Sequence, residues 1–201
     1  MKTVLIAGQF YPDFEDFDWN NQNKFGELWM VNAFFDFYPK ASPDRIYQIH
    51  SKEHESDSHR RQNQMYSNYD AIVRTSFDHG GTIKNESVID KEFFEKKYGK
   101  ENLSCTISVM FYDAIEYGAD EITLMGVFLN SREYLSQAPG IIKAIKVARE
   151  SGINVIIDSK REWELMIKAD EAIVKSLQIP NYGVGGYWNM MTNHPKESLF
   201  K

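Results

Sequence analysis

A single cysteine, Cys105, stands in this chain of 201 residues, so no internal disulfide is available and the fold must rest on its core. A lone thiol also fits a reducing compartment, and its place at a helix start suits a small buried residue better than a reactive one. Long apolar runs are missing too. Nothing approaches the roughly twenty residues that cross a bilayer, and Met1-Lys-Thr-Val-Leu-Ile-Ala7 is too short for a signal-peptide core. Positive charge is scarce: 23 Lys and Arg against 29 Asp and Glu leave a formal charge of −6. That balance gives no broad electrostatic reason to bind nucleic acid, although a local basic groove stays open. Metal-binding spacing is absent as well. His50, His54 and His59 recur at intervals of four and five in a very polar stretch, which matches no closed zinc signature, so no metal site is expected. The expectation is a soluble cytoplasmic protein with no membrane partner.

What the chain does have is the makings of a sizeable core. With 42% hydrophobic and 14% aromatic residues it reads as globular, and its length suits one large domain with an appendage. Residues 1–180 are assigned to the domain. Residues 181–201, a tail opening with Asn181-Tyr-Gly-Val-Gly-Gly-Tyr-Trp, are left to cover an edge, fold over a site or mediate association into a homo-oligomer. Short apolar runs read as strands: Thr3–Ala7, Glu27–Val31, Arg45–His50, Asp70–Thr75, Glu121–Met125 and Ile153–Ile157. Between them lie helical patterns at Lys91–Lys100, from Ser104 to the stop at Gly118, at Ile141–Glu150 and at Trp163–Leu177. The segment SREYLSQAPG reads as a polar loop. Such alternation predicts an α/β fold, a doubly wound, mostly parallel, Rossmann-like sheet with helices on both faces.

Candidate binding residues follow from where those elements end. Open parallel sheets bind ligands beyond the carboxyl ends of their strands, and three predicted strands deliver Gly8, Asn32 and His50 to such ends. Gly8 stands alone, without the G-x-G-x-x-G spacing of a dinucleotide loop, and the acidic residues Asp13, Glu15, Asp16 and Asp18 after it would repel a bare phosphate. The stretch Asn102–Asn130 centres the reading. Ser104 suits an N-cap, with Thr106 and Ser108 in the first turn, where orphan N–H groups favour a phosphate. Gly126 closes the following strand where a ligand can approach. The plainer accounts are an ordinary capped helix and, for Asn32, a cap on the helix that starts at Ala33.

The series IAG, LWMVNAFF, RIYQIHS, LSCTISVMFYDAIEYGADEITLMGV and REYLSQAPG…ARESGINV resembles a group of small phage-encoded proteins of Rossmann-like fold. That group is similar to bacterial sialyltransferases using CMP-sialic acid and to archaeal hydroxymethylpterin diphosphokinase-like proteins. The resemblance implies a cradle for a nucleotide or nucleotide-sugar donor at Gly8 with Gln9, Asn32, Ser104, Thr106 and Gly126. It also marks Glu133, Tyr134 and Gln137 as the phage-type E-Y-x-x-Q signature. Departures are visible. The first loop reads Gly8-Gln-Phe-Tyr-Pro12 where the family has G-x-G-P-S. Gly126-Val-Phe128 stands where relatives have G-x-D, and residues 131–150 hold no histidine. Two functions follow. One is a transferase moving a glycosyl or phosphoryl-type group from a nucleotide-activated donor to an acceptor the sequence does not name, with Glu133, Tyr134 and His50 as acid–base groups. The other is a non-catalytic phage protein, working in the host cytoplasm, that sequesters a nucleotide.

Overall fold

The computed structural model describes residues 1–8, 17–127 and 132–158. Its strands are β1 (Thr3–Ala7), β2 (Glu27–Val31), β3 (Arg45–Gln48), β4 (Ile72–Thr75), β5 (Glu86–Val88), β6 (Glu121–Met125) and β7 (Asn154–Asp158). They form one sheet in the order β5-β4-β3-β2-β1-β6-β7, with every neighbouring pair parallel. The helices are α1 (Phe34–Phe37), α2 (Asp57–Tyr66), α3 (Lys91–Tyr98), α4 (Thr106–Tyr117) and α5 (Arg132–Glu150). This is the α/β, Rossmann-like architecture that the alternating pattern predicts.

The central strands are mostly apolar because both faces are covered. Val4 and Ile6 of β1, Trp29 of β2 and Tyr47 of β3 face a core shared with α3, α4 and α5. Their neighbours Leu5, Ala7, Leu28, Met30 and Ile46 point the other way, onto Phe34 of α1 and Tyr66 of α2. Each fully buried Val, Leu, Ile, Met or Phe among them contributes about 1.5–3 kcal/mol, so the two cores hold the layers together without a disulfide. The chain runs outward from β1 to β5 and then returns through α4 to pair β6 with the far side of β1. The order of the sheet therefore reverses between β1 and β6. In folds of this class that reversal opens a crevice beyond the strands' carboxyl ends.

Several local expectations are corrected. The segment read as the loop SREYLSQAPG is mostly helix, because α5 starts at Arg132 and runs through Pro139. Ile141, Ile142, Ala144, Ile145 and Ala148 are buried along it, so packing overrides two residues that usually break helices. Ser104 does not cap α4. The N-cap is Cys105, whose backbone N–H donates to the Ser108 hydroxyl at 3.2 Å. Burial pushes the Cys105 thiol up from its usual range, in keeping with an inert role. At the other end Gly118 takes the left-handed conformation, φ 75°, as the helix stop requires. The polar helix α2 and the short strand β5 have no counterpart among the predicted elements. The predicted helix Trp163–Leu177 and the tail 181–201 lie outside the described residues.

A buried charge network ties α4 to the sheet. Asp113, 5% exposed, accepts from Tyr47 Oη at 2.6 Å and from Arg74 Nε and Nη2 at 3.0 and 2.8 Å. Arg74 Nη1 also donates to Ser87 Oγ at 2.6 Å, while Arg45 places Nη1 3.6 Å from Asp113 and donates from Nε to Glu27 at 3.1 Å. Burial raises the Glu27 carboxyl, but hydrogen bonds from Tyr117 and Trp29 and the Arg45 charge outweigh it and hold its pKa below the usual range. A depressed folded-state pKa means the unfolded chain binds more protons in that window. The stability Glu27 gives is complete above the ordinary value of 4.5 and is lost as pH falls through and below it. Glu27→Gln is expected to lower the melting temperature near pH 7 and to narrow the gap to wild type near pH 3.5. Parallel melting curves that never converge would remove Glu27 from the acid response.

Candidate functional site

Parallel pairing of β1 with β2 and of β2 with β3 sets Gly8, Asn32 and His50 along one edge, each just past its strand. Gly8 donates its N–H to Met125 O at 2.8 Å, which closes the gap between the ends of β1 and β6. A Cβ at Gly8 would sit 2.2 Å from the Gly126 carbonyl oxygen, and Gly126 itself has φ 66°. The two glycines are thus explained by the approach of backbone to backbone at the carboxyl ends of β1 and β6. Gln9 lies outside the described residues.

Asn32 does not cap α1. The cap position is Ala33, in the left-handed region at φ 42°, and it makes no side-chain cap bond. The Asn32 amide instead lies in the sheet edge, with Nδ2 3.2 Å from Gln48 Oε1 and 3.0 Å from His50 Nε2. The His50 ring stacks on His59 of α2 with centroids 4.0 Å apart, and the His50 carbonyl accepts from Ser76 Oγ at 2.7 Å. His50 and Asn32, named independently from the sequence, are therefore in direct contact. Among the described residues no group of three or more His, Cys, Asp or Glu is placed to hold a metal ion.

Thr106 opens α4, and Ser104 precedes its cap. Ser104 Oγ lies 3.4 Å from Gln137 O, and a Cβ on Gly140 would come within 1.8 Å of it. Ser104 thus packs α4 against α5, where Gly140 leaves room for its hydroxyl. Glu133 and Tyr134 lie in the first turn of α5, not in a loop; their side chains lie outside the described residues.

The sequence gives no direct notice of a second polar group that adjoins this edge. His79, whose side chain is 7% exposed, sets Nδ1 against Glu86 of β5 and Nε2 3.6 Å from Glu55 Oε1. Glu55 accepts from Asn63 Nδ2 at 2.9 Å, and Thr75 Oγ1 donates to Glu86 at 2.9 Å. Gln48 Nε2 faces α2, 3.4 Å from Gln62 Oε1 and 3.5 Å from Asn63 Oδ1. The signals were faint: a glutamine at an inward strand position, and a histidine in the turn Phe77–Gly81, which reads equally well as a change of direction.

No protein-family model matches the chain, and no curated protein sequence matches it significantly. The three-dimensional comparison is more telling. The fold resembles that of a solved sialyltransferase. The chain matches the sialyltransferase CstII from Campylobacter jejuni, solved in complex with a substrate analogue, cytidine-5'-monophosphate, at a TM-score of 0.50 and 16% sequence identity. The match covers 78% of this chain and 79% of that chain. At so low an identity the likeness to CstII speaks for the architecture alone. No helix among the described residues is long and apolar enough to cross a membrane.

Proposed function

We propose that this protein binds a nucleotide, or a nucleotide-activated donor, in the crevice beyond β1, β2 and β6 and transfers a glycosyl or phosphoryl-type group from it. One observation carries the reading: the fold is shared with CstII, which was solved with CMP bound. The reversal of the sheet between β1 and β6 is consistent with it. In this proposal Gly8, Gln9 and Gly126 shape the floor, Asn32 reads the nucleoside, and Ser104 and Thr106 serve the phosphate at the start of α4. His50, Glu133 and Tyr134 are the acid–base candidates. A glutamate at the start of α5 would take the acceptor proton, and a tyrosine there would donate to the departing phosphate oxygen. The absence of histidine from residues 131–150 favours the second reading, a binder that holds a nucleotide without turning it over.

Calorimetric titration with CMP, UDP, ADP and their sugar conjugates, with and without magnesium, is expected to show saturable binding of at least one. Donor breakdown by wild type, Glu133→Gln and Tyr134→Phe then separates the readings. Loss of a true acid or base lowers turnover by on the order of a hundredfold at nearly unchanged nucleotide affinity. Binding without turnover in the wild type selects the sequestering protein. No binding of any nucleotide overturns both readings.

A further inference from the structure

The polar groups behind Asn32 form a line with a direction. A carboxylate only accepts hydrogen bonds, whereas a primary amide offers a donor at one end and an acceptor at the other. Glu55 therefore compels Asn63 to present Nδ2, at 2.9 Å, and turns Asn63 Oδ1 toward Gln48. Gln48 in turn directs Nε2 to α2, where two acceptors, Gln62 Oε1 and Asn63 Oδ1, lie at 3.4 and 3.5 Å. That leaves Gln48 Oε1 to accept from Asn32 Nδ2 at 3.2 Å. The second hydrogen of Asn32 Nδ2 then points at His50 Nε2, 3.0 Å away, which must be unprotonated to receive it. Gln48 and Asn63 are each 2% exposed, so water has little scope to reverse the line. At the far end His79 Nε2 lies 3.6 Å from Glu55 Oε1 and Arg60 Nη1 lies 4.0 Å from Oε2, which hold the carboxylate in place.

We propose that Glu55 is a positioning residue for the crevice. Through Asn63 and Gln48 it fixes which atoms Asn32 and His50 turn toward each other, and it holds His50 as the neutral imidazole protonated on Nδ1. His50 is thereby set as a proton acceptor at Nε2 and not as a cationic donor. Asn32 is set with its amide nitrogen toward the protein. The proposal deepens the nucleotide-transferase reading and rests on it for its functional meaning, though the polarity of the line does not depend on any ligand.

The test uses two substitutions that exchange a carboxylate and an amide. Glu55→Gln removes the acceptor that sets the direction. Glu55→Gln with Asn63→Asp moves the carboxylate one place along the same line, so Gln48 again meets an acceptor and the direction beyond it is restored. Nitrogen-15 NMR of the unliganded protein, with the His50 signals identified by their loss in His50→Gln, is expected to show one Nδ1-protonated tautomer in wild type. Glu55→Gln is expected to show a mixture of tautomers, and the double variant to return to one. CMP affinity, measured in parallel, is expected to weaken on the order of tenfold in Glu55→Gln and to recover in the double variant. A merely structural role for Glu55 would not restore the tautomer by shifting the carboxylate. The proposal is overturned if Glu55→Gln keeps the wild-type tautomer, or if the double variant fails to regain it. If the tautomers follow the direction of the line while CMP binds none of the proteins, the relay stands and the nucleotide reading falls.

Discussion

Asp113→Ala is expected to destabilise the protein by about 3–5 kcal/mol, which breaking a buried ion pair by removing one partner commonly costs. The substitution strips the acceptor from Tyr47 Oη and from two donors of Arg74, and it leaves Arg45 without the carboxylate 3.6 Å from its Nη1. The arginine side chains are only 13% and 15% exposed, so their charges cannot turn freely to water. Against a typical total stability of about 5–15 kcal/mol the loss is severe, and in a chain of this size it corresponds to a fall in melting temperature on the order of 10 °C. Asp113→Asn should lose less, because one side-chain oxygen remains to accept from Tyr47. Denaturant titration of the three proteins measures the difference. A change for Asp113→Ala within about 1 kcal/mol of zero would mean that the arginines are solvated after all.

Gly8→Ala is expected to do comparable damage by a different route. Its Cβ would stand 2.2 Å from Gly126 O and 2.8 Å from Val127 Cγ2, and the first of these is backbone that no rotamer change can clear. The carboxyl ends of β1 and β6 must part, and the bond from Gly8 N to Met125 O at 2.8 Å goes with them. Overpacking of a well-filled site costs about 1–3 kcal/mol and more where backbone has to shift. The expected result is a lower melting temperature together with weakened binding of CMP, since the same movement alters the crevice floor. A variant as stable as wild type would show that the strand ends have slack there.

The success of the sequence reading followed burial. β1, β2 and β6 lie within a sheet covered on both faces, so each is largely a run of apolar residues that stands out without any knowledge of its partners. β5 was missed because it is three residues, Glu86-Ser-Val88, at the sheet's edge with no buried position. α2 was missed for a related reason: its buried residues are Asn63 and Tyr66, and no aliphatic stripe marks its inner face. Pro139 and Gly140 suggested a loop because local preference is all a sequence shows, whereas the room Gly140 leaves for Ser104 exists only once α4 and α5 are packed. Gly8, Asn32 and His50 were legible as strand ends. Their ligand role is still a proposal, and the line from Glu55 through Asn63 and Gln48 was not legible, since it joins residues from separate elements by hydrogen-bond direction alone. The resemblance to phage-encoded and pterin-kinase-like proteins rests on the sequence motifs.

The placement of β1 at the reversal has a consequence for how the chain is assembled. On one side β1 meets β2 within a short span, but on the other it must wait for β6, and the contact from Lys2 to Asp120 closes 118 residues. β1 precedes β6 along the chain, so one whole edge of this apolar strand stays unpaired until more than a hundred further residues have been made. Contacts so distant along the chain slow folding, because the entropy of closing the loop is lost before the pairing repays it. An open apolar edge over that interval is also a template for joining another chain. The same strand that anchors the finished sheet is therefore open along one edge in the nascent protein, and α4 with β6 together act as the latch that closes it.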